Sequence, residues 1–253
     1  MRCSRTEMMV VAASRLLEDG RTVLTGTGMP VLASLLARET RAPRLSIIFE
    51  AGSISPLRPP ALPLSVGDSM TAYRAVMAAS MDYVMCLAQA GYADYAFLGA
   101  AQIDPYGNLN TTVIGPYERP RVRLPGSGGA NDFGSLSWRT IVLMRQDRSR
   151  FVERLDFLTT PGYLTGRGAR ERAGLPRGTG PWRVVTQLGI YGFGEDGRME
   201  LLRVYPGVTL EEVRGSSSFE IRAGQVEEEP EPTARELRTL RRLDPHGMVT
   251  GRG

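Results

Sequence analysis

The 253-residue chain is 42% hydrophobic, which is enough to bury a sizeable core, and its net charge is only +4. All 31 basic residues are arginine and lie scattered among 27 acids, which argues against a nucleic-acid protein with a basic face or tail. Two cysteines without CxxC spacing argue against a disulfide framework or structural zinc, and one histidine, His246, leaves little room for a His-based triad or metal centre.

From the N-terminus, Arg2 and Arg5 precede an apolar stretch at 8–13 that Ser14, Arg15, Glu18 and Asp19 interrupt. This pattern predicts an amphipathic helix capped by Thr6 and ended by Gly20, not a signal peptide. No apolar run approaches the ~20 residues of a membrane span, so a cytoplasmic protein is expected. Residues 21–25 read as a strand, Gly26-Thr27-Gly28 as a tight loop, and Pro30 as the first turn of a helix reaching about Arg38. Residues 45–49 (LSIIF) are a buried strand, so 21–49 form a strand–helix–strand unit with parallel pairing and a right-handed crossover.

Residues 51–67 are a long loop rich in Gly, Ser and Pro, and residues 70–90 read as one long helix rich in Ala and Met. In that helix Cys86 is expected to be packed. A strand follows at 95–98. Residues 104–131 carry turn signals, 140–144 is a strand, and 159–180 is a loop. Short strands at 184–186, 190–193 and 199–204 suggest a β-meander. Thr209 caps a short helix, residues 227–232 form an acidic linker, and a last helix spans about 233–243. No repeat or domain boundary is evident, so a single domain over 1–253 is expected.

Four places carry candidate chemistry. Glu50 directly follows the 45–49 strand and precedes Ala51-Gly52-Ser53. Open α/β sheets bind ligands outside the carboxyl ends of their strands, and a partly desolvated carboxylate there is a nucleophile. Its plain alternative is a solvent-facing glutamate at a strand end. The run Gly126-Ser127-Gly128-Gly129-Ala130-Asn131 lets backbone approach a ligand and aim N–H groups at an anion. A flexible turn is the equal alternative. Gly26-Thr27-Gly28 lacks the full dinucleotide fingerprint and reads as a strand-to-helix turn. Gln102 and Asp104 with Asn108 and Asn110 cluster polar groups after a buried strand, where Asx turns would also place them.

In order and spacing these pieces resemble the beta subunit of glutaconate CoA-transferase and related family I CoA-transferases. The stretches are GTGMP at 26–30, IIFEAG at 47–52, GAAQIDPYGNLN at 99–110, RLPGSGGAN at 123–131, FVERLDFLTTPGY at 151–163, RERAGLP at 170–176 and DPHG at 244–247. The resemblance implies an α/β fold with an open, mostly parallel sheet and helices on both faces. It implies a partner, a homologous alpha subunit, with the active site near the interface of the two. Acyl-CoA and a carboxylic acid would be the substrates, coenzyme A would be carried without a metal, and neither nucleic acid nor membrane would be bound. It further implies that Glu50 is the catalytic nucleophile and that Gly126, Gly128, Gly129 and Ala130 give oxyanion and CoA contacts. Gly28, Gly52, Ser53, Gln102 and Asn108 are the substrate-pocket candidates. A CoA-ester hydrolase or decarboxylase on the same scaffold, and a non-catalytic ligand-sensing subunit, are the alternatives.

Overall fold

The structure, a computed structural model, describes residues 3–251, so Arg2 lies outside the described residues. The chain divides into two compact units, Met1–Leu98 with Glu231–Gly253, and Gly99–Pro230.

The first unit opens with helix α1 (Arg5–Arg15). Its cap is Ser4, not the expected Thr6. Ser4 Oγ accepts from Glu7 N at 3.1 Å while Glu7 Oε2 accepts from Ser4 N at 2.9 Å, a reciprocal capping box. The helix stops at Leu16, before Gly20. Strand β1 (Thr22–Thr25), helix α2 (Met29–Thr40) and strand β2 (Ser46–Phe49) form the expected strand–helix–strand unit. The two strands pair in parallel from Thr22↔Ser46 to Thr25↔Phe49. Their apolar residues, among them Val23, Leu24, Ile47, Ile48 and Phe49, are buried, as a two-sided parallel sheet requires.

After β2 the chain turns back. Strand β3 (Ser53–Ile54) lies antiparallel to β2, and strand β4 (Met77–Ala78) pairs with β3. The long helix expected over 70–90 is therefore divided. A 3₁₀ turn covers Ser69–Ala72, Arg74 adopts φ 48°, and only helix α3 (Met81–Gln89) remains. The cause is tertiary. Val76 N donates to Ile54 O at 3.1 Å and Ala79 N to Gly52 O at 2.9 Å, so sheet pairing takes amides that a helix would need. Cys86 on α3 is exposed, contrary to the packed thiol expected. Strand β5 (Tyr95–Leu98) runs parallel to β1 on its other side, giving the order β5-β1-β2-β3-β4.

The second unit begins with two short antiparallel pairs, β6 (Gln102–Ile103) with β7 (Leu109–Asn110), and β8 (Val113–Ile114) with β9 (Val122–Arg123). Helix α4 (Ala130–Leu136) follows the glycine run and leads into strand β10 (Arg139–Leu143). A single helical turn, α5 (Ala169–Arg172), interrupts the loop expected at 159–180. Strand β11 (Pro181–Val185) is parallel to β10, and β12 (Gly189–Phe193) and β13 (Met199–Val204) complete the antiparallel meander read from the sequence. Thr209 caps helix α6 (Leu210–Gly215), its Oγ1 accepting from Glu212 N at 3.1 Å. Strand β14 (Arg222–Glu228) was not expected. It runs parallel to β13 and absorbs the first two residues of the expected acidic linker.

Helix α7 (Ala234–Leu243) returns to the first unit and agrees with the expected span. It packs on α1 and α2. Two arginine forks brace it against α1: Arg15 to both oxygens of Glu236 (2.8 Å each), and Arg241 to Glu7 at 2.9 and 3.2 Å. Among the described residues, no helix is long and apolar enough to cross a membrane.

Candidate functional site

Because β1 and β2 are parallel neighbours, the Gly26–Gly28 loop and Glu50 leave the sheet at the same edge, the carboxyl ends of the strands. Glu50 is partly exposed and occupies a turn closed by Gly52 N donating to Phe49 O at 3.0 Å. The turn requires glycine at 52. Its φ is 113°, and a Cβ there would overlap the Ala79 carbonyl. Bringing the β4 segment this close forces the chain out of β2 abruptly, which leaves Glu50 at the lip of the sheet instead of extending the strand. Gly28 caps α2 with φ 74° and has open space where a side chain would be.

Ser53, beside this turn, is buried and its hydroxyl donates to Thr71 O at 2.6 Å. That bond ties the loop to the 3₁₀ turn and leaves the serine serving the scaffold. The prolines that follow lie elsewhere. Since β3 runs back along β2, residues 58–62 end against the C-terminal turn and line a cleft of about 230 Å³ with Leu35, Arg242 and His246. Glu50, Gly52 and Ser53 take no part in its walls. Arg58 (3.7 Å) and Arg242 both pair with Glu39, which ties the cleft's two guanidinium groups to one carboxylate.

In the second unit the glycine run 126–129 precedes α4. Gly126 has φ 92° and Gly128 φ 48°, so both need glycine's freedom. The run is tied at its start by Gly126 N to Thr111 O (2.9 Å) and Thr111 Oγ1 to Gly126 O (2.8 Å). At its end, Ser127 Oγ accepts from Asn131 N at 3.1 Å, and Asn131 Nδ2 donates to Thr159 O at 2.9 Å. Gly128 is exposed, Gly126 and Ala130 partly so, and Gly129 is buried. Backbone fixed at both ends with an exposed glycine between them suits contact with an anionic or polarised oxygen.

Gln102 and Asn108 are both buried and hydrogen-bonded. Gln102 Nε2 donates to Asp156 Oδ2 at 3.1 Å while its Oε1 accepts from Asn110 Nδ2 at 2.7 Å and Asp156 N at 3.1 Å. Asn108 Oδ1 accepts from Gly162 N at 2.7 Å and Leu164 N at 3.1 Å, and its Nδ2 donates to Asp104 Oδ2 at 2.7 Å and Leu164 O at 2.9 Å. These two pocket candidates thus cross-link loops, and Asn108 is left no spare group for a ligand. Asp104, passed over as a site residue, is the perturbed acid of this cluster. Burial pushes its carboxyl up to about 6, against the opposing pull of Asn108 and of the Asn108 and Tyr106 amides. Its sequence signal was the Asp-Pro-Tyr-Gly-Asn turn, which gives no measure of burial.

Comparison with known proteins bears on the family and the fold. A family model described as Coenzyme A transferase matches residues 6–216. The chain is 41% identical over 245 residues to the B subunit of 3-oxoadipate CoA-transferase from Pseudomonas knackmussii, covering 95% of this chain and 93% of that protein. It is 36% identical over 247 residues to the B subunit of glutaconate CoA-transferase from Acidaminococcus fermentans, covering 94% and 92%. The crystal structure of the glutaconate enzyme superposes with a TM-score of 0.93 at 34% identity over 98% of this chain and 97% of that one, in agreement with the α/β open-sheet fold expected. The decarboxylase AibA/AibB superposes with a TM-score of 0.85 at 26% identity, covering 98% of each chain. The chain therefore belongs to the coenzyme A transferase family, as one of its B-type subunits.

Proposed function

We propose that this chain, with an alpha-type partner subunit, moves coenzyme A between an acyl-CoA and a carboxylic acid through a glutamyl-CoA thioester on Glu50. The observation that carries this reading is the Glu50 turn. A carboxylate stands at the carboxyl end of a parallel strand, held there by a glycine that no other residue replaces. A carboxylate nucleophile needs no base to activate it, which suits a chain with one histidine.

Glu50 attacks the thioester carbonyl, and the oxyanion collapses to a mixed anhydride with release of CoA thiolate. The thiolate then attacks the glutamyl carbonyl, which gives glutamyl-CoA and frees the first carboxylate. An acceptor carboxylate reverses both steps. Each step exchanges one activated acyl bond for another. Backbone N–H groups of the 126–130 loop are the candidates for stabilising the oxyanions. Both relatives above are named for dicarboxylates, 3-oxoadipate and glutaconate, and that class is the proposed acid. Such chemistry belongs in the cytoplasm, where CoA is held.

Intact-mass measurement on the assembled complex, given acyl-CoA and no acceptor, tests the route. A CoA adduct on this chain, mapped to Glu50, supports it. Steady CoA release from an unmodified chain sinks it. The likeness to a decarboxylase supplies a second reading, which loss of CO₂ from a CoA ester without any adduct would favour.

A further inference from the structure

Arg170 opens the RERAGLP stretch and is 3% exposed, yet no carboxylate pairs with it among the described residues. A buried cation with no carboxylate in direct contact persists only where oriented dipoles stand in for the anion. Here carbonyl oxygens do so. Nη1 donates to Pro161 O at 3.0 Å and Gly162 O at 2.8 Å. Nη2 donates to Gly134 O and Ser135 O at 3.2 Å each and to Thr179 Oγ1 at 3.0 Å, and only Nε is left without a partner. Thr179 Oγ1 in turn lies 2.9 Å from Ser135 O and 2.7 Å from Pro176 O.

Gly134 and Ser135 belong to the last turn of α4, whose carbonyls have no partner within the helix. A guanidinium there satisfies them and sits at the negative end of the helix dipole. The other end of α4 carries the glycine run. Asn131 joins that end to Thr159 O, and Arg170 joins the far end to Pro161 and Gly162 of the same segment. One stretch of backbone thus holds the helix at both ends. Gly180 is shaped around this clamp: a Cβ at that position would lie 2.9 Å from Arg170 Nε and 3.0 Å from Cζ.

We infer that Arg170 is a positioning residue for the CoA-transfer reaction, fixing the axis of α4 and so the aim of the glycine-loop amides. The inference rests on the reading of 126–130 as the loop that meets the thioester. It acts through geometry, since an α-helix of seven residues is about 10 Å long and a tilt at one end moves the other. Misplacement of this kind by about 1 Å costs ~100-fold in rate.

The test uses the complex of this chain with its partner subunit, carrying Arg170→Met, Arg170→Lys or Gly180→Ala. Amide hydrogen exchange over 126–136 and the two half-reactions are measured separately. Arg170→Met should raise exchange in that segment at least tenfold and slow adduct formation from acyl-CoA by about 10–100-fold, with KM for the acceptor acid unchanged. Arg170→Lys should fall between it and the native chain, because an ammonium reaches fewer of the five oxygens. Gly180→Ala, which keeps the arginine but displaces it, should follow Arg170→Met and serves where that variant fails to fold. Unchanged exchange over 126–136 in Arg170→Met, or in Gly180→Ala where it stands in, overturns the proposal. Raised exchange with an undisturbed acyl-CoA half-reaction upholds the positioning of α4 and defeats instead the assignment of the loop to the thioester.

Discussion

Glu50 and Gly52 divide the work of one turn, and substitution separates their roles. Glu50→Ala removes the proposed nucleophile from a partly exposed position and should abolish the CoA adduct and lower kcat by ~10³-fold or more. Gly52→Ala leaves Glu50 in the sequence but sets a methyl against the Ala79 carbonyl at φ 113°. It should destabilise the first unit by about 1–3 kcal/mol and reduce adduct formation with it. Asp104 supports a pH prediction. Its folded pKa of about 6 lies above the ordinary value of 3.8, so between these values the folded chain holds a proton that the unfolded chain has released. Its contribution therefore favours folding below pH 4, is lost as pH rises through 6, and is flat above. The span corresponds to about 3 kcal/mol at most. The thermal midpoint of the native chain relative to Asp104→Asn should fall between pH 4 and pH 6.5, and a flat difference would refute the assignment. At this scale the sequence reveals which residues are polar but not which are already spent. Glu50 stands out in the sequence as a charged group directly after an apolar run, and its role is the proposal that the CoA adduct tests. Ser53, Gln102 and Asn108 looked equally available, and only their donors and acceptors show that they cross-link loops.

Local rules succeeded where an element's own residues decide its form. The β1–α2–β2 unit, the meander β11–β13 and the Thr209 cap were readable from periodicity and capping residues. The α1 cap was readable too, since Ser4-x-x-Glu7 is the box signature, but Thr6 drew the assignment two residues late. The misses arise from distant partners. The Ala/Met-rich stretch at 70–90 has helical propensity, yet Gly52 and Ile54 take its amides at 76 and 79 into a sheet. Strand β14 has a largely exposed, polar sequence with no alternation to read, and it exists because β13 offers an edge. The pairing of α1 with α7 gives a prediction at this scale. Glu7 is 1% exposed, closes the α1 capping box and receives the Arg241 fork. Glu7→Ala removes the buried carboxylate that receives the Arg241 fork and opens the cap, so it should cost about 2–4 kcal/mol. Arg15→Ala, which breaks the more exposed Glu236 pair, should cost about 1 kcal/mol. Hydrogen exchange in α1 and α7 resolves the two, and equal protection in both variants would refute the ranking.

Taken whole, the chain carries apolar surface that it does not bury itself. Tyr73, Val76, Met77, Met81 and Tyr83 are all exposed, Val76 by 83%, and they follow one another through β4 and α3. Burial of large apolar side chains is the main favourable term in association, and runs of this kind mark interfaces. A B-type chain acts with its alpha-type partner under the proposed mechanism, and this stretch includes β4 and Ala79, the residue that Gly52 packs against. The partner is therefore expected to cover it. Hydrogen exchange over 73–85 should slow at least tenfold when an alpha-type partner subunit is added, while α1 and α7 remain unchanged. Val76→Asp and Met81→Asp should each weaken the complex by about 10–100-fold in Kd, since each places a charge where an apolar side chain would be buried. Adduct formation on Glu50 should fall in proportion to the complex lost and recover at high partner concentration. A complex that forms with full affinity in both variants, with exchange over 73–85 unaltered, would move the interface elsewhere on the chain and leave this stretch without a role in assembly.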